Sequence, residues 1–277
     1  MGTAGSGPAV PWRSLAALTC AESLRVRDGP QRVPRCVRAQ IVPRLGGRKR
    51  IERELGHTME LNGYIDHTNL KQNATQTDIE RLCDEAVRYR FATVAINSCW
   101  TALAAKRLAD TGVGVTTCIG FPLGACSTPA KAAEAAQAVA DGTSEIDMVI
   151  NGGHLVAGDD QYVIDDISAV VKAAQGHPVK VILECCLLND EQIVRACEDA
   201  MAAGASFVKT STGFSTGGAT VHDVALMRKT VGGRCKVKAA GGISTVEDME
   251  TFLALGADRL GTSRAVKILN GEQAKGY

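Results

Sequence analysis

Several features are missing from this sequence, and each absence narrows what it can be. No window approaches the roughly 18 consecutive uncharged apolar residues of a membrane-spanning helix, so a helical membrane protein is excluded. Ten cysteines are present without a single Cys-x-x-Cys pair. Several sit inside apolar runs, as Cys118 does in Gly-Val-Thr-Thr-Cys-Ile, which points to buried free thiols in a reducing compartment rather than a disulfide scaffold. The five histidines show no ligand spacing with the cysteines or with each other, so no metal is expected. No Gly-x-Gly-x-x-Gly follows the first strand-like run, which leaves a dinucleotide cofactor little support. A disordered chain is excluded as well, because 45% of the residues are hydrophobic and only 22% charged.

Net charge is also nearly absent, at +1, but that value averages two unlike parts. Residues 1–50 hold ten Lys/Arg against Glu22 and Asp28, a net of +8, and five of the eight prolines (Pro8, Pro11, Pro30, Pro34, Pro43). The remainder holds 21 basic and 28 acidic side chains, a net of −7. The basic segment lacks a secretory hydrophobic core, since only Ala16–Cys20 forms an apolar run. It also lacks the aromatic platform or zinc-finger spacing that would make it a nucleic-acid arm. Two readings stay open for residues 1–58: an organelle transit peptide, or an unstructured extension from an upstream start. The body is expected to begin at Met59 and run to Tyr277 as one domain. A cytoplasmic enzyme is expected, with organelle import through residues 1–58 as the alternative.

From Leu61 onward, short β-branched runs alternate with longer alanine-rich amphipathic stretches. The expected strands are 63–65, 93–96, 113–119, 145–150, 179–183, 207–210, 236–239 and 259–261. The expected helices are 77–89, 101–110, 129–140, 164–174, 190–203, 221–230 and 246–255. Helix starts are marked by Asn189 before Asp190-Glu191 and by Thr245 before Glu247-Asp248, and stops by Gly142, Gly204 and Gly256. Eight strands alternating with helices require parallel pairing with right-handed crossovers. The repeated junctions Ala203-Gly204-Ala205 and Leu255-Gly256-Ala257 favour a closed (β/α)8 barrel over an open doubly wound sheet.

In such a barrel, reactive side chains gather at the C-terminal ends of the strands. Two lysines end neighbouring strands there, Lys209 in Phe-Val-Lys-Thr-Ser-Thr-Gly and Lys238 in Val-Lys-Ala-Ala-Gly-Gly. Burial and a second positive charge both favour a neutral amine, the form that attacks a carbonyl to give a Schiff base. The plainer alternative is that the lysines bind a phosphate or pair with carboxylates. Asp147, in Glu-Ile-Asp-Met-Val-Ile-Asn, is placed by the alternation on the inner face, as a proton relay or as an ion-pair partner. Glu184 is open to the same two readings, with the ion pair favoured. Three strand-following turns are rich in glycine and hydroxyls: Thr212-Gly213, Gly241-Gly242 and Gly261-Thr262-Ser263. Together they suit a phosphate nest beside the last strands.

These residues resemble a known family. Ile65-Asp66-His67-Thr68-Asn69-Leu70-Lys71, Gly120-Phe121-Pro122-Leu123-Gly124, Glu145-Ile146-Asp147-Met148-Val149-Ile150-Asn151, Val208-Lys209-Thr210-Ser211-Thr212-Gly213 and Val237-Lys238-Ala239-Ala240-Gly241-Gly242-Ile243 are similar to motifs of the deoxyribose-phosphate aldolases. The resemblance runs from about Met59 to the end. It implies a cofactor- and metal-free (β/α)8 class I aldolase, commonly a homodimer. Its reaction would be reversible cleavage of 2-deoxy-D-ribose 5-phosphate to D-glyceraldehyde 3-phosphate and acetaldehyde, in deoxyribonucleotide catabolism. Lys209 would be the Schiff-base lysine, Lys238 the neighbour that keeps it neutral, and Asp147 the residue that activates water. Asp66 and Thr68 would position substrate hydroxyls. Thr212, Gly213, Gly241, Gly242, Gly261 and Ser263 would hold the phosphate, and the final Tyr277 would match a C-terminal tyrosine implicated in proton transfer.

Three departures stand out. Asn69 replaces an apolar residue of the first motif, Ala95 stands where many relatives carry an aldehyde-reactive cysteine, and Cys185 follows Glu184 in place of threonine. The competing expectations are a different sugar-phosphate barrel enzyme, either an isomerase or another Schiff-base aldolase, and a non-catalytic phosphate-ligand sensor.

Overall fold

The computed structural model describes residues 61–272. Eight parallel strands close into a barrel in sequence order: β1 (Ile65–Asn69), β2 (Thr93–Asn97), β3 (Gly114–Ile119), β4 (Glu145–Val149), β5 (Val179–Ile182), β6 (Phe207–Lys209), β7 (Lys236–Ala240) and β8 (Arg259–Thr262). Around them run α1 (Gln76–Tyr89), α2 (Thr101–Leu108), α3 (Thr128–Ala140), α4 (Gly152–Ala157), α5 (Asp160–Ala173), α6 (Asp190–Ala202), α7 (Val221–Val231), α8 (Val246–Ala254) and α9 (Ala265–Leu269). None of these helices is long and apolar enough to cross a membrane. The expectations for residues 1–58 and for Tyr277 lie outside the described residues.

The helices begin where the sequence supplies caps. Thr75, Asn189 and Thr245 each accept a hydrogen bond from the backbone three residues on, and Asp78, Gln192 and Asp248 answer with side-chain bonds to the cap backbone. These reciprocal bonds satisfy amides that a helix start would otherwise leave orphaned. Helix α5 begins four residues before the expected Ile164, because Asp159 caps it through Tyr162 N. The short helices α4 and α9 were not expected, since each carries too few residues to show a period.

Strand β1 starts two residues later than the expected 63–65. A turn closed by Tyr64 N to Leu61 O (3.0 Å) occupies that stretch, so Asp66, His67 and Thr68 lie within the strand rather than after it. Polarity hid the strand from the hydrophobic pattern. The outward side chains, such as Ile65, Val94, Ile146, Met148, Val181, Val208, Val237 and Leu260, are buried in the apolar layer shared with the helices. The alternate side chains point inward, and there they include Asp66, Thr93, Thr116, Asp147, Lys180 and Lys238, all buried. The apolar core is therefore a shell between strands and helices, and it surrounds a charged barrel interior.

Candidate active site

Lys209 ends β6 and Lys238 lies beside it on β7, the two being register partners with Cα atoms side by side. Residues at one level of adjacent parallel strands face the same side of the sheet, so both ammonium groups enter the barrel together. They meet at one carboxylate oxygen: Lys209 Nζ lies 2.8 Å and Lys238 Nζ 2.7 Å from Asp147 Oδ2. The other oxygen, Oδ1, accepts from Lys180 Nζ at 2.8 Å. Burial alone would raise the Asp147 pKa, but the three lysines override it and hold the carboxyl well below the ordinary range. Lys238 shows the reverse balance. Burial works to lower its pKa, whereas Asp147 and Asp66 hold it above the usual lysine range. It is thus a permanent positive charge against which Lys209 is placed.

Below this trio the charges continue and close on themselves. Lys238 Nζ contacts Asp66 Oδ2 at 2.5 Å, and Asp66 Oδ1 takes Arg259 Nη1 at 2.6 Å. Arg259 Nη2 reaches Glu145 Oε1 at 3.0 Å. Glu145 Oε2 then meets Lys180 Nζ at 2.6 Å, and Lys180 returns to Asp147. Three carboxylates and three cations alternate around this ring, and Lys209 hangs from it through Asp147 alone.

Asp66, expected to position substrate hydroxyls, is in fact fully buried within this ring and accepts a further bond from Thr93 Oγ1 at 2.8 Å. It does not line the mouth cavity. Sequence reasoning missed Lys180, Glu145 and Arg259. A signal was present, because the alternation Val179-Lys180-Val181 puts the lysine on the same inward face as its register partner Asp147.

Above the ring, a cavity of about 250 Å³ opens at the C-terminal mouth. Lys209 and Thr68 line it, together with Thr212, Gly213, Gly241, Gly242, Gly261, Ser263 and Arg264. The structure thus gathers every residue expected for the phosphate end around one space beside the amine. Gly241 and Gly242 both take the left-handed conformation, at φ 79° and 77°, which favours glycine. Gly218 packs so closely that a Cβ there would lie 2.5 Å from the Gly241 carbonyl carbon. The Thr212 hydroxyl is already committed, donating to Glu184 Oε2 and accepting from Phe214 N at 3.0 Å. Glu184, which also accepts from Thr212 N at 3.1 Å, therefore anchors the loop after β6; the bond it makes is to Thr212 and not the expected ion pair with a lysine, although its role is structural. Thr68 Oγ1 donates to the Asp66 carbonyl at 2.9 Å.

Ala95, where the resemblance leads one to expect a thiol, is buried on β2. Among the described thiols, Cys118 on β3 is the register partner of Asp147. Burial pushes its pKa up to about 11, so it is un-ionised.

A (β/α)8 barrel with three buried lysines gathered on one carboxylate under a mouth cavity is a lysine-equipped barrel enzyme. Comparison with known proteins makes this specific: the chain belongs to the DeoC/LacD family of aldolases, whose family profile matches residues 62–263. It is 54% identical over 215 residues to deoxyribose-phosphate aldolase 1 of Mesoplasma florum, a match covering 78% of this chain and 98% of that one. It is 55% identical over 219 residues to the deoxyribose-phosphate aldolase of Bacillus cereus, covering 79% and 98%. The barrel superposes on the tetrameric deoxyribose phosphate aldolase of Aeropyrum pernix with a TM-score of 0.73 at 34% identity, covering 78% of this chain and 92% of that one. The chain is an aldolase.

Proposed function

We propose that this aldolase cleaves 2-deoxy-D-ribose 5-phosphate reversibly to D-glyceraldehyde 3-phosphate and acetaldehyde, with Lys209 as the Schiff-base lysine. The observation that carries this reading is the sharing of Asp147 Oδ2 by Lys209 and Lys238 directly beneath a glycine-lined cavity. The neutral amine of Lys209 attacks C1 of the open-chain sugar, and loss of water gives an iminium. The iminium takes the electron pair of the C2–C3 bond as it breaks, while the C3 hydroxyl loses its proton through water towards Asp147. Asp147 is kept ionised by three lysines, so it relays the proton rather than retaining it. The aldehyde from C3 to C5 departs, the enamine is protonated at C2, and water hydrolyses the iminium to release acetaldehyde and the free lysine.

The 5-phosphate is assigned to the turns at Gly213, Gly241-Gly242 and Ser263, where backbone amides supply donors that need no side chain. Asp66 is reassigned from substrate contact to holding Lys238. The reading extends to deoxyribonucleotide catabolism, a cytoplasmic location, a homodimer and a catalytic body from Met59 preceded by a leader over residues 1–58.

Borohydride added with 2-deoxy-D-ribose 5-phosphate tests the chemistry. The expected product is an irreversible adduct on the peptide containing Lys209, with matching loss of acetaldehyde release. An unmodified Lys209 in an enzyme that still turns over would overturn it.

A further inference from the structure

The charge count of the barrel interior has a consequence for residues far from the mouth. The ring holds Asp66, Asp147 and Glu145 against Lys180, Lys238 and Arg259, each cation lying between two carboxylates. Lys209 is a fourth cation with no carboxylate of its own, since Asp147 already serves two ring members. Arg259 is the first residue of β8 and Glu145 the first of β4. Both sit at the N-terminal end of the barrel, whereas Lys209 ends its strand at the mouth.

We infer that Arg259 and Glu145 are positioning residues for the aldol reaction: by completing a charge-balanced ring, they leave Lys209 as the surplus cation and hence the amine that gives up its proton. The inference rests on the Schiff-base reading of Lys209 and deepens it. A buried carboxylate with a vacant cation site recruits the nearest proton-bearing group, because an uncompensated interior charge is costly. Without Arg259, the three carboxylates would face two ring lysines, and a protonated Lys209 would become the third counter-cation. Without Glu145, the surplus of positive charge would grow and the free amine would be favoured further.

The groups that bear on Lys209 from the packed strands agree with this count. Asp147 of β4 and Lys238 of β7 share its contact point, and Lys180 of β5 holds the other Asp147 oxygen. Cys118 of β3 is un-ionised, and β2 offers Thr93 and Ala95, which carry no charge. Asp66 of β1 and Arg259 of β8 complete the set from within the ring. At the mouth, Glu184 is engaged by Thr212, and Arg264 Nη1 donates to Ser244 Oγ at 2.7 Å.

The test is the rate of borohydride trapping of substrate as a function of pH, in the parent and in Arg259→Gln, Arg259→Lys, Glu145→Gln and the double variant Glu145→Gln/Arg259→Gln. The parent experiment locates the adduct and so tests the Schiff-base reading by itself. Given an adduct on Lys209, Arg259→Gln is expected to trap about tenfold more slowly at acidic pH, with recovery at alkaline pH. Arg259→Lys keeps the charge and is expected to follow the parent. Glu145→Gln is expected to hold its rate to lower pH than the parent, and the double variant to return to the parent profile. A purely structural role for the guanidinium fork predicts instead that Arg259→Gln and Arg259→Lys behave alike, with no change in pH dependence. That result, with the adduct still on Lys209, overturns the inference while leaving the Schiff-base reading intact. Should Arg259→Gln not fold, the opposite-sign change in Glu145→Gln decides the matter, and an unmoved profile there overturns the inference as well.

Discussion

Lys209 and Lys238 donate to the same oxygen of Asp147, at 2.8 and 2.7 Å. Two ammonium groups on one oxygen repel each other in a site without bulk water to screen them, and only one has a second carboxylate to offset that. Lys238 has Asp66 at 2.5 Å, and Lys209 has none. The asymmetry between two residues of the same type, on neighbouring strands, is what assigns them different work.

The two lysines should therefore fail differently. Lys209→Met removes the nucleophile and is expected to abolish both turnover and borohydride adduct. Lys238→Met leaves the nucleophile in place but removes the charge beside it. Turnover is expected to fall by about 10²-fold or more at neutral pH, with a slow adduct on Lys209 that becomes faster as the pH rises. Mass spectrometry of the trapped peptide and an acetaldehyde-release assay separate the two outcomes.

The phosphate assignment depends on a close backbone approach. Gly218→Ala would place a methyl 2.5 Å from the Gly241 carbonyl carbon, so the turn after β7 must move. The expected result is a rise in KM for 2-deoxy-D-ribose 5-phosphate, about tenfold, with a much smaller change for unphosphorylated 2-deoxy-D-ribose. Equal losses for both substrates would place the phosphate elsewhere. Steady-state kinetics on the two sugars is the measurement.

Thiol chemistry at the site should be weak. Ala95 carries no nucleophile, and Cys118 is buried and held un-ionised, with its pKa pushed up to about 11. Reaction with an aldehyde or an alkylating reagent requires the thiolate. Incubation with acetaldehyde at neutral pH is accordingly expected to leave activity largely intact and Cys118 unmodified by mass. Introducing the thiol with Ala95→Cys is expected to create time-dependent loss of activity.

A buried carboxylate away from the site gives a stability test with a definite sign. Asp199 on α6 is buried, and its Oδ2 has no hydrogen-bond partner among the described residues. Burial first, then the neighbouring Asp160, raise its pKa to about 6. A carboxyl that binds its proton more tightly folded than unfolded favours the fold at low pH, and this contribution is lost as pH rises through about 6. Asp199→Asn is therefore expected to raise thermal stability at pH 7.5 by the equivalent of about 1 kcal/mol. The gain should shrink as the pH falls and vanish near pH 3, below the ordinary aspartate value of about 3.9. Melting curves at the two pH values check it.

Much of this protein could be read from its residues. Gly204 and Gly256 after apolar helix faces, the capping pairs at Asn189 and Thr245, and the runs around Val181 and Met148 each specify local structure through short-range bonds. Those signals survive in a single sequence because their causes lie within a few residues. Strand β1 was misplaced for the opposite reason. Its inward residues Asp66 and Thr68 are polar because distant residues make the barrel interior polar, and nothing adjacent in the chain records that.

By itself, then, the sequence determined eight alternating units, the barrel they build, and the candidates Lys209, Lys238 and Asp147; Lys209 ends its strand, whereas Lys238 and Asp147 lie in mid-strand. Only the tertiary structure decided how the charges are paired. Arg259 and Asp66 are far apart in the chain, as are Glu145 and Lys180, yet they close one ring through contacts of 2.6 Å each. Electrostatic energy depends on separation in space and on the exclusion of water, and barrel closure fixes both. A sequence can list the charges of a site, but which of them is left without a partner is settled only when the barrel closes.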